Sequence, residues 1–282
     1  MVCKIVPIKY NSKIEQLQKN NIKHKFLYQS VKDEIALYEE NQNSNVKIYS
    51  FFGFYFLVAN SQNKEITDSI RIGDFEKLDD SQAYYGYYFN SIQANEIISQ
   101  TLRNSNTLQI SEKNSYDNSD INVVLSENGF VLCSKLNLSA EDKFERVLLL
   151  FLLALAYNLK AEKLLQDVSK SYKNNSYENM IKLRDEIYAF DLNCFFHNPV
   201  IQNKHQVYTI WNLIAKNYDV QVKHNEIKSQ VSDLTNIIES KHKAFLEEKT
   251  RKNEKALTWI GLAIGLASLV SVFKDLKELL GL

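Results

Sequence analysis

The chain has 282 residues, enough for one large domain or two ordinary ones. Lysine plus arginine and aspartate plus glutamate are both 34, so the formal net charge is zero. Because bulk binding to nucleic acid needs a basic surface, no nucleic-acid partner is expected. Few breakers are present, with 7 Gly and 2 Pro, and this composition favours long helices.

Alternating apolar residues predict strands in the first half of the chain. The segment "CKIVPIKY" (3–10) alternates roughly with period two. The strongest strand signal is "NVKIYSFFGFYFLVAN" (45–60), in which Gly53 marks a bulge or a close backbone approach. Three weaker candidates follow at 65–75, 83–93 and 106–113.

The segment "NVVLSENGFVLCS" (122–134) predicts a β-hairpin. Two apolar runs flank a turn in which Asn128 and Gly129 adopt positive φ at low cost. A polar loop is predicted just before it, at 112–120. The first domain is therefore predicted to be a mixed α/β sheet over 1–138, and the fold class to be α+β.

Residues 139–255 are predicted to form a helical domain. A helix over 137–172 has Ser139 as its candidate N-cap and an apolar centre, Val147 to Tyr157, that fits burial on most sides. That centre is too short to cross a bilayer. A second helix is predicted from Tyr177 to about Phe196.

The third helix carries a heptad pattern that predicts a coiled-coil-like arm. Its apolar residues repeat with spacings of three and four, with one change of phase between Tyr218 and Ile227. No Pro or Gly interrupts 200–260, so one continuous helix is expected. The predicted seam, called here the heptad residues, comprises Val207, Trp211, Ile214, Ile227, Val231, Leu234 and Ile238.

An uncharged run, "ALTWIGLAIGLASLVSVF", occupies 256–273 and is predicted to be a transmembrane helix. Eighteen helical residues span about 27 Å, close to the roughly 30 Å of a hydrocarbon core. Trp259 suits the membrane interface, and Gly261, Gly265 and Ser268 form a face of small residues for helix–helix contact. A short tail follows at 274–282.

Two other readings of this apolar run stay open, namely burial in an oligomer interface and burial in the chain's own core. Two glycines would each cost a soluble helix interior about 1 kcal/mol, which favours the membrane. Four basic residues lie just before the run (Lys249, Arg251, Lys252 and Lys255) and two lie after it (Lys274 and Lys277). This excess on the amino side predicts a single-pass protein with its large N-terminal part in the cytoplasm.

No catalytic, cofactor-binding or metal-binding motif is found in the sequence. The histidines have no metal-ligand spacing, although His224 and His242 share a helix face. Asp185, Glu186 and Asp191 are close together, but pairing with nearby Lys182 or Arg184 is favoured over cation binding.

The aromatic stretch "AYYGYYFNS" (83–91) has alternating faces. Tyr84 and Tyr88 are predicted on one side and Tyr85, Tyr87 and Phe89 on the other. A stacking platform for bases would need neighbouring basic residues, so a strand packed on both sides is favoured.

Three segments resemble parts of the CorA-like superfamily, and more narrowly the family named for "required for meiotic nuclear division". They are "VKIYSFFGFYFLVAN" (46–60), "LLLFLLALAYNLKAEKLLQDV" (148–168) and "QVYTIWNLIAKNYDVQVKHNEIKSQVSDLTNIIE" (206–239). The resemblance implies an α+β head carried on a long helix that ends in a membrane segment. The chain lacks a Gly-Met-Asn pore motif and a second hydrophobic segment, so CorA-type magnesium transport is not expected.

These features predict a membrane-anchored, non-enzymatic and homo-oligomeric scaffold or sensor, with membrane lipid as one partner and a protein partner unknown. One alternative is an ion-conducting or membrane-disrupting oligomer that the head gates. A further alternative is a soluble ligand-binding or enzymatic domain whose apolar tail is buried.

Overall fold

A computed structural model gives the fold of residues 1–22, 24–39, 45–62, 64, 75–79, 81–135, 140–173 and 176–279, with the side chains of the last helix described as far as Ser268. Its N-terminal part is one nine-stranded sheet of order β2-β3-β4-β5-β1-β6-β9-β8-β7. All neighbouring strands are antiparallel except β6 and β9, which are parallel. The strands are β1 (Val2–Ile8), β2 (Gln18–Asn20), β3 (Ile35–Glu39), β4 (Val46–Phe51), β5 (Phe54–Ser61), β6 (Tyr84–Phe89), β7 (Ser115–Asp117), β8 (Ile121–Ser126) and β9 (Gly129–Ser134).

Long helices follow the sheet, so the α+β class is confirmed. The α-helices with described bounds are α1 (Gln29–Asp33), α2 (Asn95–Arg103), α3 (Ala140–Lys173), α4 (Tyr177–Asn193), α5 (His205–Asn217) and α6 (Val220–Leu279), and a short 3₁₀ helix spans Ser12–Gln16. The first two predicted long helices correspond to α3 and α4, although α4 ends before Phe196. The predicted N-cap Ser139 lies outside the described residues.

The prediction of one strand over 45–60 is wrong, because this segment is a tight hairpin. Phe51 pairs with Phe54 across the turn, and Phe52 and Gly53 have φ of 51° and 83°. Two successive positive φ values are typical of the two-residue type I′ turn. Gly53 therefore supplies a turn and not a bulge.

The β-hairpin predicted at 122–134 is confirmed, but its two turn residues are Glu127 and Asn128, and of the predicted pair Gly129 has positive φ whereas Asn128 does not. Strands β8 and β9 pair antiparallel through Ser126 and Gly129, and Gly129 has φ of 144°. A Cβ at Gly129 would lie 1.8 Å from the carbonyl oxygen of Tyr85 on β6, so only glycine fits this approach.

Of the three weaker strand predictions, one is confirmed, one is wrong and one lies almost entirely outside the described residues. The 83–93 segment contains β6, whereas 106–113 contains no strand and the polar loop at 112–120 contains the short β7. The 65–75 segment lies outside the described residues except for Phe75. The amphipathic helix α2 was not predicted, since its apolar pattern is short and interrupted by polar residues.

One hydrophobic core joins the sheet to the helices. The centre of α3, Val147 to Tyr157, is buried throughout, as its apolar pattern predicted. The sheet covers it on one side, with Phe151 packed against Phe130 of β9, and α4, α5 and α6 cover the others. A helix apolar on all sides needs such complete cover.

The prediction of one continuous third helix is wrong, because a break separates α5 from α6. Asp219 has φ of 50°, a left-handed conformation that ends α5. Tyr218 is fixed there by two 2.9 Å hydrogen bonds, one from its hydroxyl to Ser126 O and one from Asn158 Nδ2 to its carbonyl. The break coincides with the phase change of the heptad pattern.

The heptad residues lie inside the chain's own core. Their relative exposures range from 0% for Trp211 and Ile214 to 6% for Val207, and they pack with residues of α3 and α4. Val207, Trp211, Ile214, Ile227, Val231, Leu234 and Ile238 therefore do not form an accessible seam between copies, because packing within one chain already covers them.

Candidate functional site

The last helix leaves the body of the protein after Ile238. Residues Val231, Leu234 and Ile238 are buried against the body, whereas every residue from His242 to Ser268 is exposed. This stretch, called here the free segment, is about 40 Å long at 1.5 Å per residue.

The free segment exposes large apolar side chains in its second half. The exposed fraction is 68% for Leu257, 74% for Trp259 and 61% for Ile264. Six such residues fall between 257 and 266, namely Leu257, Trp259, Ile260, Leu262, Ile264 and Leu266. The reading of the apolar run as part of the chain's own core is therefore wrong for residues 256–268.

The small residues predicted to mediate helix contact are also free. A Cβ placed on Gly261 or Gly265 would meet nothing within 4 Å. Ser268 lies within about 60° of Gly261 and Gly265 around the helix axis. Its hydroxyl donates a 2.9 Å hydrogen bond to the carbonyl oxygen of Ile264. These three residues thus form an open face without side chains of any bulk.

The rest of the predicted apolar run, residues 269–273, lies outside the described side chains. Among the residues that the structure describes, no helix combines the length and the hydropathy of a membrane span.

The first half of the free segment is charged. Lys249, Arg251, Lys252 and Lys255 are all exposed, and Lys252 pairs with Glu248 at 2.8 Å. Phe245, 63% exposed, lies seven residues beyond the buried Ile238 and is the first apolar residue of the heptad register that the described residues leave exposed.

A histidine pairs with a carboxylate where α6 packs on α4. His224 is 6% exposed, and its Nε2 lies 2.5 Å from Asp191 Oδ1, while Lys228 Nζ lies 3.7 Å from Oδ2. The imidazole stacks on Phe195 with centroids 3.5 Å apart. Burial lowers the pKa of His224, against the opposing effect of Asp191.

This pair resembles the histidine and the acid of a catalytic triad, but no nucleophile among the described residues is bonded to it. Nδ1 of His224 is buried and has no hydrogen-bond partner among the described residues. The adjoining cavity of about 200 Å³ is lined by Tyr188, Ser232 and Thr235 in addition to the pair. Since Nδ1 accepts no hydrogen bond from a hydroxyl or thiol of the described residues, the geometry fits a structural contact between helices.

The three acids of α4 do not converge. Asp185 pairs with Arg184 at 2.8 Å, Glu186 with Lys160 at 2.7 Å, and Asp191 with His224. Pairing of Asp185 with Arg184 was predicted, but Glu186 and Asp191 pair with other helices. Within the described part of the chain, no three His, Cys, Asp or Glu residues are placed to hold a metal ion.

The aromatic strand β6 is packed on both faces, as predicted. Tyr84 and Tyr88 face the main core, and Tyr85, Tyr87 and Phe89 face a second core under α2. Its rings are therefore largely covered by protein and do not form an open stacking platform.

No protein-family model, curated protein or solved structure matches this chain. The resemblance to the CorA-like superfamily stays a prediction from sequence pattern. The functional argument therefore depends on the free segment.

Proposed function

We propose that this protein is a membrane-anchored, non-enzymatic scaffold or sensor, and that the apolar end of α6 is its anchor. The observation that carries this proposal is the exposure of every described residue from His242 to Ser268 on an unbroken helix. The large apolar residues there are not covered by any part of the chain that the structure describes.

The free energy to be gained by burying the apolar side chains of the free segment favours their contact with lipid or protein. Fully burying one exposed large apolar side chain stabilises by about 1.5–3 kcal/mol; because the six between 257 and 266 are 52–74% exposed, covering their remaining surface represents about 5–11 kcal/mol. A typical domain is stable by only about 5–15 kcal/mol in total. Exposure to water of this much apolar surface would promote association with lipid or protein.

Lipid is favoured over a protein groove because no charged side chain interrupts the helix surface from Ala256 to Ser268. At about 100° per residue the six large apolar residues cover an arc of about 220°, and the remaining arc holds Gly261, Gly265 and Ser268. A partner helix would cover one stripe, whereas a hydrocarbon core covers every side.

Assembly in the membrane would use the face of Gly261, Gly265 and Ser268. Small residues allow two helices to approach closely in lipid. The heptad residues are occupied within the chain, so this face is the main surface on α6 for contact between copies.

The test is carbonate extraction of membranes that contain the full chain. The wild-type protein should stay in the washed membranes. Leu262→Glu with Ile264→Glu should be extracted, since each charge at a helix centre costs roughly 2.5–3.5 kcal/mol to insert. Phe245→Glu, an equally exposed position outside the apolar run, is the control and should stay in the membranes. Retention of the double variant would contradict a lipid anchor.

A further inference from the structure

A group of basic residues lies on α6 directly before the apolar run. Lys249, Arg251, Lys252 and Lys255 are exposed on the free segment and are called here the basic cluster. We propose that the basic cluster binds the headgroups of anionic phospholipids. This inference depends on the proposed function, because it assumes that the apolar run enters a bilayer.

The position of the cluster along the helix matches the headgroup layer. A bilayer of about 40–45 Å with a core of about 30 Å leaves about 5–7.5 Å of headgroup region on each side. Counted from Ala256 along a helix normal to the bilayer, Lys255 lies at about 1.5 Å, Lys252 at about 6 Å and Arg251 at about 7.5 Å. These three residues therefore fall within that layer.

Lys249 lies just outside the layer. It is about 10.5 Å from Ala256, against a screening length of about 8 Å at physiological salt. Its charge still acts at the membrane surface, though more weakly than the other three.

The local charge balance favours an anionic partner. Residues 249–255 contain four basic residues and one acidic residue, Glu254, which gives a net charge of +3 in a chain whose overall charge is zero. The next acids, Glu248 and Glu247, lie farther out at about 12 and 13.5 Å.

The ion pair of Lys252 does not remove it from the cluster. Lys252 and Glu248 are both more than half exposed, and exposed pairs of this kind are weak. Lys252 can therefore exchange its carboxylate partner for a phosphate in the headgroup layer.

Lys and Arg near an anionic membrane each strengthen binding about five-fold, so a net charge of +3 predicts on the order of 100-fold preference for anionic lipid. The preference should fall as salt rises, because exposed charges are screened. If the basic cluster recognises only the charge of the headgroup, phosphatidylserine and phosphatidylglycerol should be preferred over neutral lipid to the same extent.

Trp259 provides a local probe for this inference. It is 74% exposed and four residues beyond Lys255, whereas the chain's other tryptophan, Trp211, is fully buried. Brominated lipids quench tryptophan only on contact, so quenching of Trp259 reports which lipids surround the anchor. A Trp259→Phe variant gives the background from Trp211.

The experiment reconstitutes the full chain into phosphatidylcholine vesicles with a minor share of brominated lipid. Brominated phosphatidylserine should quench Trp259 much more than brominated phosphatidylcholine does at the same share. Replacing all four cluster residues by Gln should make the two lipids equal. Replacing Lys163, Lys182, Lys204 and Lys243 by Gln removes as much charge from other exposed sites and should preserve the difference.

The outcomes separate the two proposals. Equal quenching by both lipids in the wild-type protein would overturn the headgroup inference and leave the anchor intact. Absence of quenching by either lipid would overturn the anchor itself. A loss of preference in the control variant equal to that in the cluster variant would show that total charge is responsible, which also overturns the inference.

Discussion

Nε2 of His224 lies 2.5 Å from Oδ1 of Asp191, and this contact joins the first turns of α6 to the end of α4. His224 is buried and Asp191 is half-buried, at the place where the longest described helix begins to pack along the body. Because α6 runs without a break to Leu279, the packing at His224 sets the direction in which the free segment leaves.

Stability should fall on mild acidification because of His224. Its pKa is lowered in the folded chain, mainly by burial, with Lys228 and His197 adding repulsion and Asp191 opposing. The unfolded chain takes up this proton near pH 6.5, where the folded chain does not, so stability is lost as pH drops below about 6.5.

Urea unfolding between about pH 7.5 and about pH 5 measures this effect, above the range where carboxylates titrate. His224→Gln keeps a donor for Asp191 but cannot titrate, so its stability should vary less with pH. His242→Gln, on the free segment, should retain the wild-type slope. An unchanged slope in His224→Gln would contradict the assignment.

Gly129→Ala should destabilise the sheet strongly. Its φ of 144° is costly for alanine, and the new Cβ would lie 1.8 Å from Tyr85 O in the neighbouring strand. Strain and overpacking together predict a loss of about 2–6 kcal/mol in the free energy of unfolding.

Gly53→Ala is the matched control, since its φ of 83° is also positive but nothing lies within 4 Å of its Cβ. It should cost about 1–2 kcal/mol. Equal losses in the two variants would exclude the close approach of β6 and β9.

Ile238→Ala should lower the free energy of unfolding much more than Phe245→Ala, although both residues lie on one heptad register. Ile238 is 4% exposed in the core of the chain, so its truncation should cost about 2–5 kcal/mol. Phe245 is 63% exposed, and its truncation should cost less than about 0.5 kcal/mol. Chemical unfolding at two protein concentrations tests this, and a concentration-dependent loss in Ile238→Ala would indicate a seam between copies.

Gly265→Ile should weaken self-association in mild detergent. It fills the face of small residues, and the expected effect is about 10-fold in the association constant, or about 1.4 kcal/mol. Ala263→Ile, about 160° away on the helix, is the control and should leave association unchanged. Light scattering across a dilution series gives the constant, and equal behaviour of both variants would reject this face.

Local patterns predicted the elements whose signals lie within one stretch of sequence. The β8–β9 hairpin and the buried centre of α3 are of this kind, although the turn lies at Glu127 and Asn128, one residue before the predicted pair. The turn at Phe52 and Gly53 was missed because aromatic residues flank it on both sides, so no polar residues mark the end of a strand.

Periodicity identified buried positions on α5 and α6 but not what buries them. Apolar residues spaced three and four apart occur both in coiled coils between two chains and in helix bundles within one chain. The positions of Trp211 and Leu234 in the sequence therefore did not show which of the two buries them. The break at Asp219 has neither Gly nor Pro, and its signals were the nine-residue phase change and an aspartate, a residue type that tolerates a left-handed conformation. The contact of Asp191 with His224 depends on a helix packing that the sequence pattern does not encode.

The most direct test is fractionation of the full chain beside a chain that ends at Lys255, with alkaline washing of the membrane pellet. The shortened chain keeps the whole described core, since no residue from His242 to Ser268 is buried. Retention of the full chain in washed membranes, with release of the shortened chain, is the predicted result. Release of both chains would contradict the membrane anchor and leave the apolar end of α6 as a contact between proteins.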